Sequence, residues 1–105
     1  IMVKSIASSN ESGGVEPLSA EERLYFSTAL GYLLRNVGDE VSGGTIRFNE
    51  INSGEWVCKV EVEASGTWVE SEVCAPSKAI AFARAAEVLD RRIFSATFAP
   101  LSRAA

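Results

Sequence analysis

Residues 56 to 73, WVCKVEVEASGTWVESEV, decide the fold of this chain. From residue 56 to residue 63, apolar or small side chains alternate with mostly charged ones, and a period of two is typical of a half-buried β-strand. Ser65-Gly66 suits a two-residue hairpin turn. The alternation resumes after the turn and continues to Val73. The stretch therefore predicts two antiparallel strands with one buried face, which carries Trp56, Cys58, Val60 and Val62.

The Ser65-Gly66 turn also predicts the register of this hairpin. If Ala64 faces Thr67, then Val62 faces Val69, Cys58 faces Val73 and Glu61 faces Glu70. A slip of one residue would bring Cys58 opposite Cys74, but it would mix buried and exposed side chains along the whole hairpin. The pattern thus favours two free cysteines over a disulfide.

A helix and a strand are predicted before the hairpin. Ser19 and Glu22 have the spacing of a capping box, in which each side chain accepts a hydrogen bond from the other residue's backbone N–H. Apolar residues then recur with a helical period, and Gly38 suits a left-handed C-cap, so we expect helix 1 over about residues 20–37. Alternation around Ile46 predicts a strand that ends at the turn Asn52-Ser53-Gly54.

A second helix is predicted after the hairpin, over about residues 76–93. Pro76 fits the first turn of a helix, and the apolar residues that follow recur every three or four positions. We expect residues 1–18 to be a flexible lead-in and residues 19–105 to form a single domain with a C-terminal tail.

Composition excludes several kinds of chemistry. The 105-residue chain has 10 basic and 14 acidic residues, a formal net charge of -4, two cysteines and no histidine. Histidine-based catalysis and ordinary zinc sites are therefore excluded. No apolar run approaches the roughly 20 residues that span a bilayer. We expect a cytoplasmic protein that is not an enzyme, with no catalytic residues, no metal, no cofactor and no membrane partner.

Three segments resemble the double-stranded RNA-binding domain. Residues 46–50 (IRFNE) and 56–62 (WVCKVEV) are similar to the first two strands of that family, and residues 76–86 (PSKAIAFARAA) to its second helix. The resemblance covers about residues 20–93. It implies an α+β fold, α-β-β-β-α, in which two helices pack on one face of a three-stranded antiparallel meander.

The resemblance also implies an RNA contact, through helix 1 and the start of helix 2, with Lys78 and Arg84 as its basic residues. Ala79 and Phe82, however, stand where the family has further lysines, and residues 52–55 lack its Gly-Pro and histidine. Affinity for a polyanion grows with the number of phosphates that are neutralised. Nucleic acid is for this reason the alternative partner and not the expected one.

The uncovered face of the sheet supplies the preferred hypothesis. It would carry a set of charged residues around an exposed tryptophan: Lys59, Glu61, Glu63, Trp68, Glu70 and Glu72. Exposed tryptophan is favoured in binding hot spots. We expect a small acidic protein-binding module, either an adaptor or an inhibitor of the phage-encoded anti-CRISPR type, whose partner has a basic surface. A solvated outer face, a homodimer and a carboxylate enzyme with a raised carboxyl pKa are the other interpretations.

Overall fold

The structure is a computed structural model that describes residues 2–9, 14, 18–35, 41–52 and 54–104. Within these ranges, side chains are described only for residues 3 to 95. The elements are β1 (Met2–Ser9), α1 (Ala20–Leu33), β2 (Val41–Ile51), β3 (Glu55–Ala64), β4 (Thr67–Ala75) and α2 (Lys78–Ala104). The predicted mixture of helices and strands is confirmed.

The four strands form one sheet in the order β1-β2-β3-β4. β2, β3 and β4 make the predicted antiparallel meander. Its register is as predicted, because Val62 pairs with Val69 and Glu61 with Glu70. Ser65 and Gly66 both have positive φ, 52° and 80°, as a type I′ hairpin turn requires. Local turn chemistry therefore determines this half of the sheet.

Within the residues that the structure describes, the sheet has four strands, and the prediction of three was wrong. β1 lies within the predicted flexible lead-in and pairs in parallel with β2, with Ile6 opposite Ile46. Ile6 and Ser8 are buried. The guanidinium of Arg23 on α1 donates a hydrogen bond to the Ile6 carbonyl over 3.3 Å. The order of this segment depends on pairing with a distant strand, which sequence analysis of the segment alone does not reveal.

Both helices differ in extent from the prediction. The capping box of α1 is confirmed, but the helix ends at Leu33 with Leu34 as its C-cap, and Gly38 lies outside the described residues. α2 starts two residues later than predicted because Ser77 caps it: the Ser77 hydroxyl accepts from the Ile80 N–H at 3.1 Å. The backbone of α2 then continues to Ala104, through most of what was predicted to be a separate tail.

Both helices pack on the same face of the sheet, as predicted. Phe26 of α1 is at the centre, with its ring centroid 4.7 Å from that of Phe48 and 5.0 Å from that of Phe82. Several core positions of α2 are alanines with no exposed surface: Ala81, Ala85 and Ala86. The buried Ser71 hydroxyl of β4 donates to the Ala85 carbonyl at 2.6 Å. Small side chains thus bring α2 close enough for a direct strand-to-helix hydrogen bond.

Candidate functional site

A surface pocket of about 520 Å³ lies where the first turns of α1 and α2 meet the start of β3. We call it the aromatic groove. Its lining combines aromatic, acidic and basic side chains with the residues that begin α2, and consists of Glu21, Glu22, Tyr25, Phe26, Trp56, Pro76, Ser77, Lys78 and Ala79.

The capping interactions of both helices hold the groove in place. The Glu22 N–H donates to the Ser19 hydroxyl, and the Glu22 carboxylate accepts from the Ser19 N–H, each over 3.1 Å. The other Glu22 carboxylate oxygen is 3.3 Å from the Lys78 ammonium. Ser77 caps α2, and Lys78 is the next residue, in the first turn of that helix. The Glu22 carboxylate therefore connects the first turns of the two helices.

Lys78 occupies a position that favours the opposite charge. The N-terminus of a helix carries partial positive charge, so a cation in the first turn is disfavoured. Two contacts compensate: the ion pair with Glu22, and the Trp56 ring, whose centroid is 4.8 Å from the ammonium. The Lys78 side chain is only 19% exposed. The Glu22 carboxylate and the Trp56 ring therefore hold a positive charge in the lining of the groove.

The electrostatics of Glu22 follow from this arrangement. The backbone hydrogen bond from Ser19 is the main cause that lowers its pKa below the ordinary value of 4.5, and Lys78 lowers it further, while desolvation acts in the opposite direction. The carboxylate is therefore ionised at neutral pH and pairs with the Lys78 ammonium.

A second feature of the surface is the side of α1 that points away from the sheet. We call it the α1 outer face. Three large apolar side chains are exposed there, with Leu24 at 69%, Tyr25 at 57% and Tyr32 at 65%. A shallow depression of about 580 Å³ follows this face, lined by Glu21, Leu24, Tyr25, Thr28, Ala29 and Tyr32. Tyr25 belongs to both this face and the aromatic groove.

The predicted partner-binding residues lie together on the sheet face opposite the helices. Glu70, Glu72 and Trp68 are exposed, and Glu61, Glu63 and Lys59 are half-buried. Burial alternates along β3, so the predicted separation of a buried and a charged face is confirmed. The Glu61–Glu70 pair is not simply repulsive, since the Lys59 ammonium lies 3.5 Å from one carboxylate and 3.3 Å from the other.

Of the two predicted nucleic-acid residues, Lys78 lines the aromatic groove and Arg84 is exposed farther along α2. Trp56 packs partly against the core on the covered face, as predicted, and it also lines the groove. Sequence analysis missed the groove because it did not place Trp56 beside Lys78 and gave Tyr25 no role. The Ser19–Glu22 capping box was visible in the sequence, but no local signal indicated that Glu22 also reaches Lys78, 56 residues away.

Two further findings concern predicted absences. Across the described ranges, no three histidine, cysteine or acidic side chains lie close enough together to hold a metal ion. In the same part of the chain, no helix has the length and apolarity to cross a membrane.

Comparisons with known proteins identify the fold but not a family. No protein-family model and no curated protein matches the chain. Among solved structures, the N-terminal domain of Thermus thermophilus Protein Y matches with a TM-score of 0.69 and 14% identity, over 89% of this chain and 96% of that one. A ribosomal subunit interface protein from Coxiella burnetii matches with a TM-score of 0.49 and 15% identity, over 85% and 88% of the two chains. The Protein Y likeness establishes a shared fold.

These matches correct the sequence-based hypotheses. The Protein Y domain, whose fold this chain shares, is neither a double-stranded RNA-binding domain nor an anti-CRISPR inhibitor. The predicted acidic adaptor or inhibitor and its RNA-binding-domain alternative were therefore wrong, as was the preference for a basic protein partner over one that contains nucleic acid. The resemblance to the double-stranded RNA-binding domain rested on a meander followed by an alanine-rich helix. That arrangement is compatible with both folds.

Proposed function

We propose that this chain is a non-catalytic, cytoplasmic binding protein that docks on a ribosomal subunit through the aromatic groove. The observation that carries the proposal is the juxtaposition of Tyr25, Trp56 and Lys78 where the two helices begin. The ribosome is the partner to test because a ribosomal subunit interface protein is among the matched structures.

The chemistry of the groove suits an unpaired base of ribosomal RNA. Aromatic rings stack on any base, and such stacking contributes about 1–3 kcal/mol per base. Tyr25 offers an exposed ring, and Lys78 can donate hydrogen bonds to the edge of a base that enters beside Trp56. A flat aromatic group also fits a shallow groove better than a double helix does.

Charge indicates how such a complex would respond to salt. The chain has a net charge of -4, and Glu21 and Glu22 flank the only lysine among the groove-lining residues. Few phosphates can be neutralised by such a surface, so affinity should fall only weakly as salt is raised. A protein that clamps the RNA backbone would show a steep dependence instead.

The test is co-sedimentation with purified bacterial ribosomal subunits at two salt concentrations. Ala79→Glu adds a carboxylate to the groove from an exposed position in the first turn of α2, where a negative charge favours the helix. Ala83→Glu is the matched control, with the same change at an exposed site one turn farther along. We expect the wild type and Ala83→Glu to co-sediment with one of the subunits and Ala79→Glu to be lost from the pellet.

Two results would contradict the proposal. One is the absence of the wild-type chain from both subunit pellets at low salt. The other is equal co-sedimentation of the two variants, which would mean that the aromatic groove is not the contact. Thermal unfolding of both variants establishes that each is folded.

A further inference from the structure

α1 is apolar on two opposite sides, although only one side packs on the sheet. Phe26 and Leu30 are buried against the core, whereas Leu24 and Tyr32 are more than half exposed on the α1 outer face. A surface helix normally presents polar residues to solvent. Leu24 and Tyr32 are eight residues apart, so they lie on the same side of α1 about two turns from each other. Exposed apolar side chains aligned along one side of a helix indicate that another surface covers them.

Charges mark the two ends of the α1 outer face with opposite signs. Glu21 lies in the first turn of the helix, and Arg35 follows the C-cap. The guanidinium of Arg35 is held at this end by the Tyr32 ring, whose centroid is 4.4 Å away, and by a hydrogen bond to the Tyr32 carbonyl. The stripe therefore runs from an acidic end through an apolar centre to a basic end.

This order of charges is self-complementary in one orientation only. Thr28 lies seven residues from both Glu21 and Arg35, so a two-fold axis at Thr28 would place Glu21 of one copy opposite Arg35 of the other. The same axis would place Leu24 against Tyr32 twice and bring two small threonines together at the centre. A parallel arrangement would set like charges side by side at both ends.

We propose that the α1 outer face binds a second copy of this chain, through antiparallel packing of one α1 against the other. The interface is isologous, with a small residue at the crossing point and apolar side chains on both sides of it. A single pair of four-turn helices buries less surface than a standard protein–protein interface, so the dimer is weak and forms at elevated concentration. This inference does not depend on ribosome binding.

Sedimentation equilibrium of the isolated chain tests the proposal, over concentrations from about 1 µM to about 1 mM. We expect the weight-average mass to rise from the monomer mass of 11.2 kDa toward twice that value. Leu24→Glu should abolish the rise, because it places a carboxylate in the apolar centre. Far-UV circular dichroism of each variant verifies that α1 is intact.

A charge swap distinguishes this interface from other modes of association. Glu21→Arg and Arg35→Glu should each weaken the dimer about tenfold, because like charges then face each other, and the double variant should restore it. Arg84→Glu is the matched control, since it makes the same charge change at an exposed site on α2 and should leave the dimer unchanged.

Three results would overturn the proposal. They are a wild-type chain that stays monomeric at about 1 mM, a dimer that is indifferent to Leu24→Glu, and a double variant no stronger than either single one. All of these measurements are made without ribosomes. A negative result therefore counts against the dimer alone. The ribosome proposal is tested separately, with Ala79→Glu.

Discussion

Replacing Phe82 with alanine tests the central claim about the core. Phe82 is 1% exposed, and its ring centroid is 5.0 Å from that of Phe26. Phe94 is on the same helix but 57% exposed, so Phe94→Ala makes the same chemical change at the surface. The two variants have the same effect on helix propensity and differ mainly in burial.

The expected magnitude follows from that burial. Removing a fully buried phenylalanine lowers the free energy of unfolding by about 3–5 kcal/mol, because apolar contacts are lost and a cavity remains. The aromatic pair with Phe26 accounts for about 0.5–1.5 kcal/mol of this loss. Phe94→Ala should lower it by clearly less, because more than half of the Phe94 side chain is exposed. Small domains have total stabilities of about 5–15 kcal/mol, so Phe82→Ala removes a large fraction.

The assay is urea unfolding followed by the fluorescence of the two tryptophans. The slope of the transition should stay constant while the midpoint falls. Phe82→Leu keeps most of the apolar volume and should lie between Phe82→Ala and the wild type. A loss below about 1 kcal/mol for Phe82→Ala, or an equal loss for Phe94→Ala, would refute the packing of α2 against α1 described above.

Three further predictions concern pH, thiol reactivity and close packing. The pKa of Glu22 is lower in the folded protein than in the unfolded chain. The stability that ionised Glu22 contributes is therefore present above the unfolded-state pKa and is lost as pH falls through the folded-state pKa. Glu22→Gln removes this titration, so the variant should lose less stability on acidification than the wild type. Burial raises the pKa of the Cys58 thiol to about 12, whereas the pKa of the exposed Cys74 is raised mainly by its hydrogen bond with Glu55. Alkylation of the native protein, read by mass spectrometry, should modify Cys74 slowly and leave Cys58 intact; equal labelling would contradict the burial of Cys58. A Cβ at Gly44 would lie 2.8 Å from the Glu61 carbonyl oxygen, so Gly44→Ala should lower the free energy of unfolding by about 1–3 kcal/mol in urea titrations, and an unchanged midpoint would contradict this.

The candidate site could be predicted only in part. The capping box at Ser19 and Glu22 was visible in the sequence, because its interactions span three residues. The ion pair of Glu22 with Lys78 was not, since it joins residues 56 positions apart. Lys78 was chosen for its place in a family motif, and its position beside Trp56 depends on how α2 packs on the sheet.

The sequence by itself determined the meander, its register and the division of the sheet into a buried and a charged face. Alternation, turn residues and helix caps act between near neighbours, so their physical effect can be evaluated from the order of residues alone. Only the tertiary structure decided that Met2–Ser9 is a strand, because its order depends on hydrogen bonds to β2, about 40 residues away. It also decided the aromatic groove and the exposed α1 outer face. Both arise where separate elements meet or leave a surface uncovered, and the free energy of such arrangements depends on the whole fold and not on any single segment.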